Sequence, residues 1–215
     1  GGTLQGLNGT TSAANFMTGL TCAIVRNGGA IINPNGQSIT IGQPLLHSVI
    51  SGDNATDGGL TIVGTGGSVA LTGTNTYTGP TTINGSVLII NAPYNAITAP
   101  VVNNGGLLEV AVNTNSSYFP AITLNNGGGL EFNLGAYSSS NVPGITTANL
   151  IVSGTNVIDI SGGSIPVTSI TLLTYTNKTG TSTFVLGTLP PGVAGTVTDT
   201  GSALVLNVTS PSGNS

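Results

Sequence analysis

The sequence predicts an all-β chain wound as a parallel β-helix, a β-solenoid in which each turn of chain stacks on the one before. Three observations lead there. Apolar residues alternate with small polar ones over short runs, the period of a half-buried strand. Glycine, often after Asn or Asp, interrupts these runs every few residues, and the 215 residues include 34 glycines. Charged residues make up only 4% of the chain and aromatic residues another 4%, so the aromatic core and charged outer faces usual in a β-sandwich are missing.

In chain order, residues 1–25 read as an N-terminal cap or irregular segment. Within it, 11–22 is the one stretch where a short helix competes, through Ala13, Ala14, Phe16, Met17 and Leu20, with Gly19 weakening it. Residues 26–209 read as the solenoid. Strands are expected at 30–32, 38–41, 60–63, 68–71, 81–83 and 86–90, then at 101–102, 107–112, 121–124, 130–134, 150–152, 157–160, 169–175 and 203–208. Asn27-Gly28-Gly29, Asp57-Gly58-Gly59, Asn104-Gly105-Gly106, Asn126-Gly127-Gly128 and Ser161-Gly162-Gly163 punctuate them. A coil of about 20–25 residues gives roughly nine or ten coils. At about 4.8 Å per coil, the rod is on the order of 45 Å long. Like residues stacked between coils are expected to form ladders. Leu189-Pro190-Pro191-Gly192 reads as a tight connection, and 210–215 as a small polar tail that frays unless a neighbour holds it.

The run Leu71-Thr72-Gly73-Thr74-Asn75-Thr76-Tyr77-Thr78-Gly79, followed by Thr81-Thr82-Ile83 and Gly85-Ser86-Val87, resembles the autotransporter-associated β-strand repeat of bacterial surface proteins. Residues 26–41 look like the coil that often precedes this repeat. The segment 170–175, with Phe184, Leu189-Pro190-Pro191-Gly192 and 203–208, resembles the closing segment of large bacterial exported proteins that carry it. The similar regions span 26–92 and 168–209. The resemblance implies a right-handed β-helix, export, a surface or extracellular role, and no catalytic residues, since the repeat is structural. Two departures stand out. Gly64-Thr65-Gly66-Gly67 holds an extra glycine, expected to make a bulge or a wider corner, and Ile62 stands where the family commonly has a basic residue.

Six carboxylates oppose two cations, a net charge of −4. With no basic stripe, nucleic acid and anionic membrane surfaces are poor partners, and no apolar run reaches the roughly 18 residues of a membrane span. Cys22 is the only cysteine; it reads as a small buried apolar side chain. Asp53 and Asp57, with Asn54, offer either a calcium site or, preferred here, a solvated turn. His47 with Ser48 or Ser51 and Asp53 has the members of a triad, but neighbours in sequence rarely take that geometry, so His47 reads as structural. Glu109 and Glu131 occupy polar positions of alternating strands and form a glycosidase pair only if a cleft separates them. Tyr77 belongs at a coil corner. Tyr94, Tyr118 and Tyr137 lie in loop-like stretches and are the candidates for contact with a partner or a glycan.

The resulting expectation is an extracellular structural protein with no catalytic, cofactor-binding or metal-binding residues. Coil ends and edges with few charges to guard them would assemble head-to-tail or laterally with further copies, into a fibre or surface layer. The alternatives are an adhesin or stalk fragment displaying binding loops to a glycan or cell surface, and a polysaccharide-active β-helix.

Overall fold

The computed structural model describes residues 2–7, 12–90, 97–112, 115–135, 142–163, 165 and 168–210, with the backbone alone described at 12–15. Every regular element among them is a strand. The chain enters two large sheets alternately. In spatial order the first sheet holds β1 (Thr3–Gln5), β4 (Ala30–Asn33), β7 (Leu60–Ile62), β9 (Thr81–Ile83), β11 (Val101–Val102), β13 (Ser117–Leu124), β15 (Ile145–Val152), β17 (Ser169–Thr179), β20 (Ala203–Ser210) and β19 (Ala194–Asp199). The second holds β2 (Ser12–Met17), β5 (Ser38–Ile41), β8 (Ser68–Leu71), β10 (Val87–Ile90), β12 (Leu107–Ala111), β14 (Gly129–Asn133), β16 (Gly154–Ser161) and β18 (Ser182–Leu186). A short third sheet pairs β3 (Ala23–Val25) with β6 (Leu45–His47). All pairs are parallel except those of β20, which runs antiparallel to both β17 and β19.

Register partners in the parallel pairs lie between 19 residues apart, as Ser68 and Val87, and 30, as Ile31 and Thr61. The second sheet therefore records eight passes of the chain, fewer than the nine or ten a uniform coil length would give. The repeat-like passes are short; the first two carry the third sheet, and the last lengthen their strands. The segment 1–25 does not form the competing helix. Its residues supply β1, β2 and β3, each paired with the next pass. Gly19 falls in the connection after β2. Of the polar tail, Ser210 ends β20 and 211–215 lie outside the described residues.

Period-two alternation sets every second side chain between the sheets. The inward positions stack into columns along the register. One runs Ile39, Val69, Leu88, Leu108, Leu130, Ile158, Leu186, and all but the last are buried. Another runs Ile41, Leu71, Ile90, Val110, Phe132, Ile160, all buried. Burying each such side chain is worth about 1.5–3 kcal/mol. The scarcity of aromatics fits an interior that aliphatic residues mostly fill, with Phe132 the largest side chain in this column.

The turns between the sheets carry the expected ladder of like residues. Asn84, Asn103 and Asn125 follow β9, β11 and β13 at equivalent positions. The Asn103 side-chain amide donates to Asn84 Oδ1 at 2.5 Å, and that of Asn125 donates to Asn103 Oδ1 at 2.6 Å. Asn103→Ala removes both bonds and strands a partner on each side. It is expected to cost roughly 1–3 kcal/mol, read from the urea denaturation midpoint. The Gly64–Gly67 corner is the wide one its extra glycine predicts. Buried Ser86 fills it, its hydroxyl within 3.2–3.4 Å of the Val63, Gly64 and Gly66 carbonyls.

The two ends of the stack differ. At the C-terminal end the chain leaves β18, turns at Pro191-Gly192 where Val193 N–H donates to the Pro190 carbonyl at 3.1 Å, and folds back as the β19–β20 hairpin. Leu204, Leu206 and Val208 of β20 are buried, and Leu189, Val193 and Val197 pack against the core. The last strand, within the 26–209 stretch, thus reverses direction relative to the parallel passes. At the N-terminal end, β1 is exposed along its whole length.

Candidate functional site

The loop after β6 holds the densest polar cluster among the described residues. Asp57 does not sit in a solvated turn. Its side chain is 1% exposed. It accepts the backbone N–H groups of Gly59 (2.9 Å), Thr78 (2.8 Å) and Gly79 (2.9 Å), and His47 Nδ1–H at 2.8 Å. Burial works to raise its pKa, but these donors outweigh it and hold it at about 2. Asp53, 4% exposed in its side chain, faces elsewhere. It takes a two-pronged contact from Arg26 at 2.8 and 2.9 Å and the Ser48 hydroxyl. Arg26 first, then Ser48, hold its pKa below the ordinary carboxylate range.

Both carboxylates are thus saturated by protein donors and point to different partners, while Asn54 N–H is occupied with Asn27 Oδ1 at 2.8 Å. The donor set is that of a clamp joining three passes, and it leaves no shared oxygen cage for calcium. Among the described residues, no three His, Cys, Asp or Glu side chains form a metal-binding group. The triad reading also fails on geometry. Ser48 bonds Asp53 directly, His47 bonds Asp57, and no contact joins Ser48 to His47.

Glu109 and Glu131 are brought together, with a third partner the spacing did not reveal. Glu109, Glu131 and Asp159 are register neighbours on β12, β14 and β16. They stand side by side on one sheet face. Burial, and then the like charges of Glu109 and Asp159, raise the Glu131 pKa. A carboxylate raised in the folded state binds its proton there more readily than in the unfolded chain. Stability therefore rises as pH falls through the Glu131 pKa and is lost again above it. Glu131→Gln is expected to stabilise the chain at pH 7 by up to about 1 kcal/mol. It should also flatten the acid-side gain, as read from guanidinium midpoints at pH 7 and pH 5. Beside this ladder, glycines of four passes and Asp159 line an open trough of about 390 Å³.

Tyr77 is buried, its hydroxyl 2.7 Å from Thr81 Oγ1, and burial raises its pKa. It holds the corner expected of it. Tyr94 and Tyr137 lie outside the described residues. Tyr118 is 66% exposed. It borders an open hollow of about 420 Å³ on the outer face of the first sheet. Tyr118, Thr146 and Thr174 are register partners across β13, β15 and β17, which sets a ring and two hydroxyls in line. Cys22 is exposed rather than buried.

A second clamp went unseen in the sequence. At the closed end Asp199 accepts from the Tyr175 hydroxyl and pairs with Lys178, whose ammonium lies 5.3 Å from the Phe184 ring centre. Burial, then that bond to Asp199, push Tyr175 up to about 12. The only advance signal was that Lys178, one of two cations, shares the final module with Asp199. No protein-family model matches the chain, and no curated protein matches it.

Proposed function

We propose that this chain is a right-handed parallel β-solenoid and serves as a non-enzymatic structural protein outside a bacterial cell, a self-assembling subunit of a fibre or surface layer. The observation that carries the reading is the unbroken set of aliphatic columns held between two parallel sheets. Such a body is rigid, extended by addition, and spends its side chains on packing. Successive parallel strands of one sheet are joined by right-handed crossovers in nearly all proteins, which supports the hand. The carboxylates support a structural role, since Asp53, Asp57 and Asp199 each hold chain segments together. Export rests on the resemblance of 26–92 and 168–209.

The antiparallel β19–β20 hairpin at the C-terminal end weighs against simple head-to-tail stacking and favours contact through the flanks. Negative-stain imaging of purified protein tests the reading. Ordered assemblies that grow with concentration are expected, and uniform monomers across concentration and pH would overturn it.

The Tyr118 hollow favours a second reading, a stalk that displays a glycan-binding face, because an exposed ring with aligned hydroxyls suits a neutral sugar. A polysaccharide panel separates the readings. Binding without cleavage supports the stalk, and cleavage would restore the enzyme.

A further inference from the structure

We propose that the outer face of β13, β15 and β17 binds an uncharged, β-1,4-linked polysaccharide lying along the stack, one sugar to a pass. This rests on the glycan-displaying reading above and deepens it by naming the ligand's charge, linkage and direction.

Hydroxyl groups with nothing to bond point to it. Tyr118, Thr146 and Thr174 follow one another in register on three neighbouring strands. With Ala148 and Thr176 they line the open hollow of about 420 Å³. Elsewhere threonine hydroxyls are engaged inside the fold, as those of Thr76, Thr78, Thr81 and Thr98 are. Among the described residues, the hydroxyls of Tyr118, Thr146, Thr174 and Thr176 have no protein partner. Tyr118 is also 66% exposed, so its ring is open to a ligand. Farther along β15 and β17, exposed Asn149 and Asn177 are register partners, with the Asn177 amide 3.3 Å from Asn149 Oδ1.

Free charge is absent from this face. Arg26 pairs with Asp53, Asp57 is enclosed by its donors, and Lys178 is held by Asp199. Glu109, Glu131 and Asp159 stand on the second sheet. An anionic chain would find no free cation on this face, and a cationic chain no free carboxylate, so each would lose hydration without a partner. An uncharged sugar fits instead. The Tyr118 ring packs against the C–H groups of a pyranose, and the threonine hydroxyls exchange hydrogen bonds with its hydroxyls. Glycoside cleavage uses a pair of carboxyl groups, and none lines the hollow, so the polymer is held rather than cut.

Direction and linkage follow from the register. Neighbouring strands lie about 4.8 Å apart, so Tyr118, Thr146 and Thr174 form a straight row along the stack. A β-1,4-linked chain is a straight ribbon whose rings repeat at nearly this spacing. It can set one ring on Tyr118 and the next two over the threonines. An α-linked chain coils and leaves such a row after one sugar.

Affinity gels carrying hydroxyethylcellulose, dextran or polygalacturonate test this on the full chain. Retardation by hydroxyethylcellulose alone is expected. Calorimetric titration with cellohexaose then measures the site. Tyr118→Ala is expected to weaken binding about tenfold, and Thr146→Val roughly two- to tenfold. Thr61→Val, on β7 of the same sheet and outside the hollow, is expected to change nothing. Thermal melts by circular dichroism check that each variant folds. Cellohexaose binding indifferent to Tyr118→Ala and Thr146→Val, or weakened as much by Thr61→Val, would overturn this site while leaving the glycan-displaying reading intact. Dextran or polygalacturonate retarding the chain as strongly as hydroxyethylcellulose would overturn the linkage or the charge assigned to the ligand. No retardation in any of the three gels would overturn both the site and the reading it rests on.

Discussion

Replacing Asp57 by alanine is expected to destabilise the chain by roughly 3–5 kcal/mol, a large share of the roughly 5–15 kcal/mol that holds an ordinary domain folded. The carboxylate is the common acceptor for Gly59, Thr78 and Gly79 N–H and for His47. Removing it strands three backbone donors where Gly59 and Gly79 are buried. It also unties the loop of one pass from the corner of the next. Asp57→Asn keeps an acceptor but halves the oxygen count, so its effect should be smaller. Guanidinium denaturation checks the order.

The pH dependence of the same residue has a definite sign. Its pKa is lowered from 3.8 to about 2 in the folded state. Its contribution is complete above the unfolded value near 4 and is lost as pH falls through about 2. A displacement of that size is worth roughly 2 kcal/mol. Wild-type stability should drop between about pH 4 and pH 2 by that amount more than that of Asp57→Asn, opposite in sign to the contribution of Glu131.

Gly59→Ala is expected to cost about 3 kcal/mol or more. The backbone there has φ of +71°, and a Cβ would lie 2.0 Å from the Pro80 carbonyl oxygen and 2.8 Å from Gly79 C. Neither neighbour is a side chain that can swing aside. Gly66→Ala is the control. Its φ is nearly the same, +72°, but nothing lies within 4 Å of its Cβ position. Only the left-handed conformation is then penalised, about 1 kcal/mol. Equal losses at the two sites would mean that conformation, and not the close approach of neighbouring passes, makes Gly59 indispensable. Thermal unfolding of the two variants decides between them.

Strands stacked into columns were legible because alternation and glycine spacing are local. Ser38-Ile39-Thr40-Ile41 declares its inward face by alternation wherever it is placed. Lys178 with Asp199, and Arg26 with Asp53, were not legible, because each pair is separated by 21 or 27 residues. That is about one pass, and the register that aligns them depends on every loop length between. Asp57 misled for a related reason. An Asp-Gly-Gly run reads as an exposed turn, yet the next pass returns at Thr78 and Gly79 and covers it. Tyr118, read as lying in a loop, instead belongs to strand β13, where it is exposed on the outward side.

By itself the sequence determined that this chain forms short strands, buries aliphatic side chains and carries a net charge of −4, because those properties follow from composition and a two-residue period. Only the tertiary structure decided that the acidic residues near 53–57 are clamps, that three carboxylates share one sheet face, and that the last strands turn back as an antiparallel hairpin. These depend on which residue lies one pass above another, a relation set by the accumulated length of the turns rather than by any local pattern.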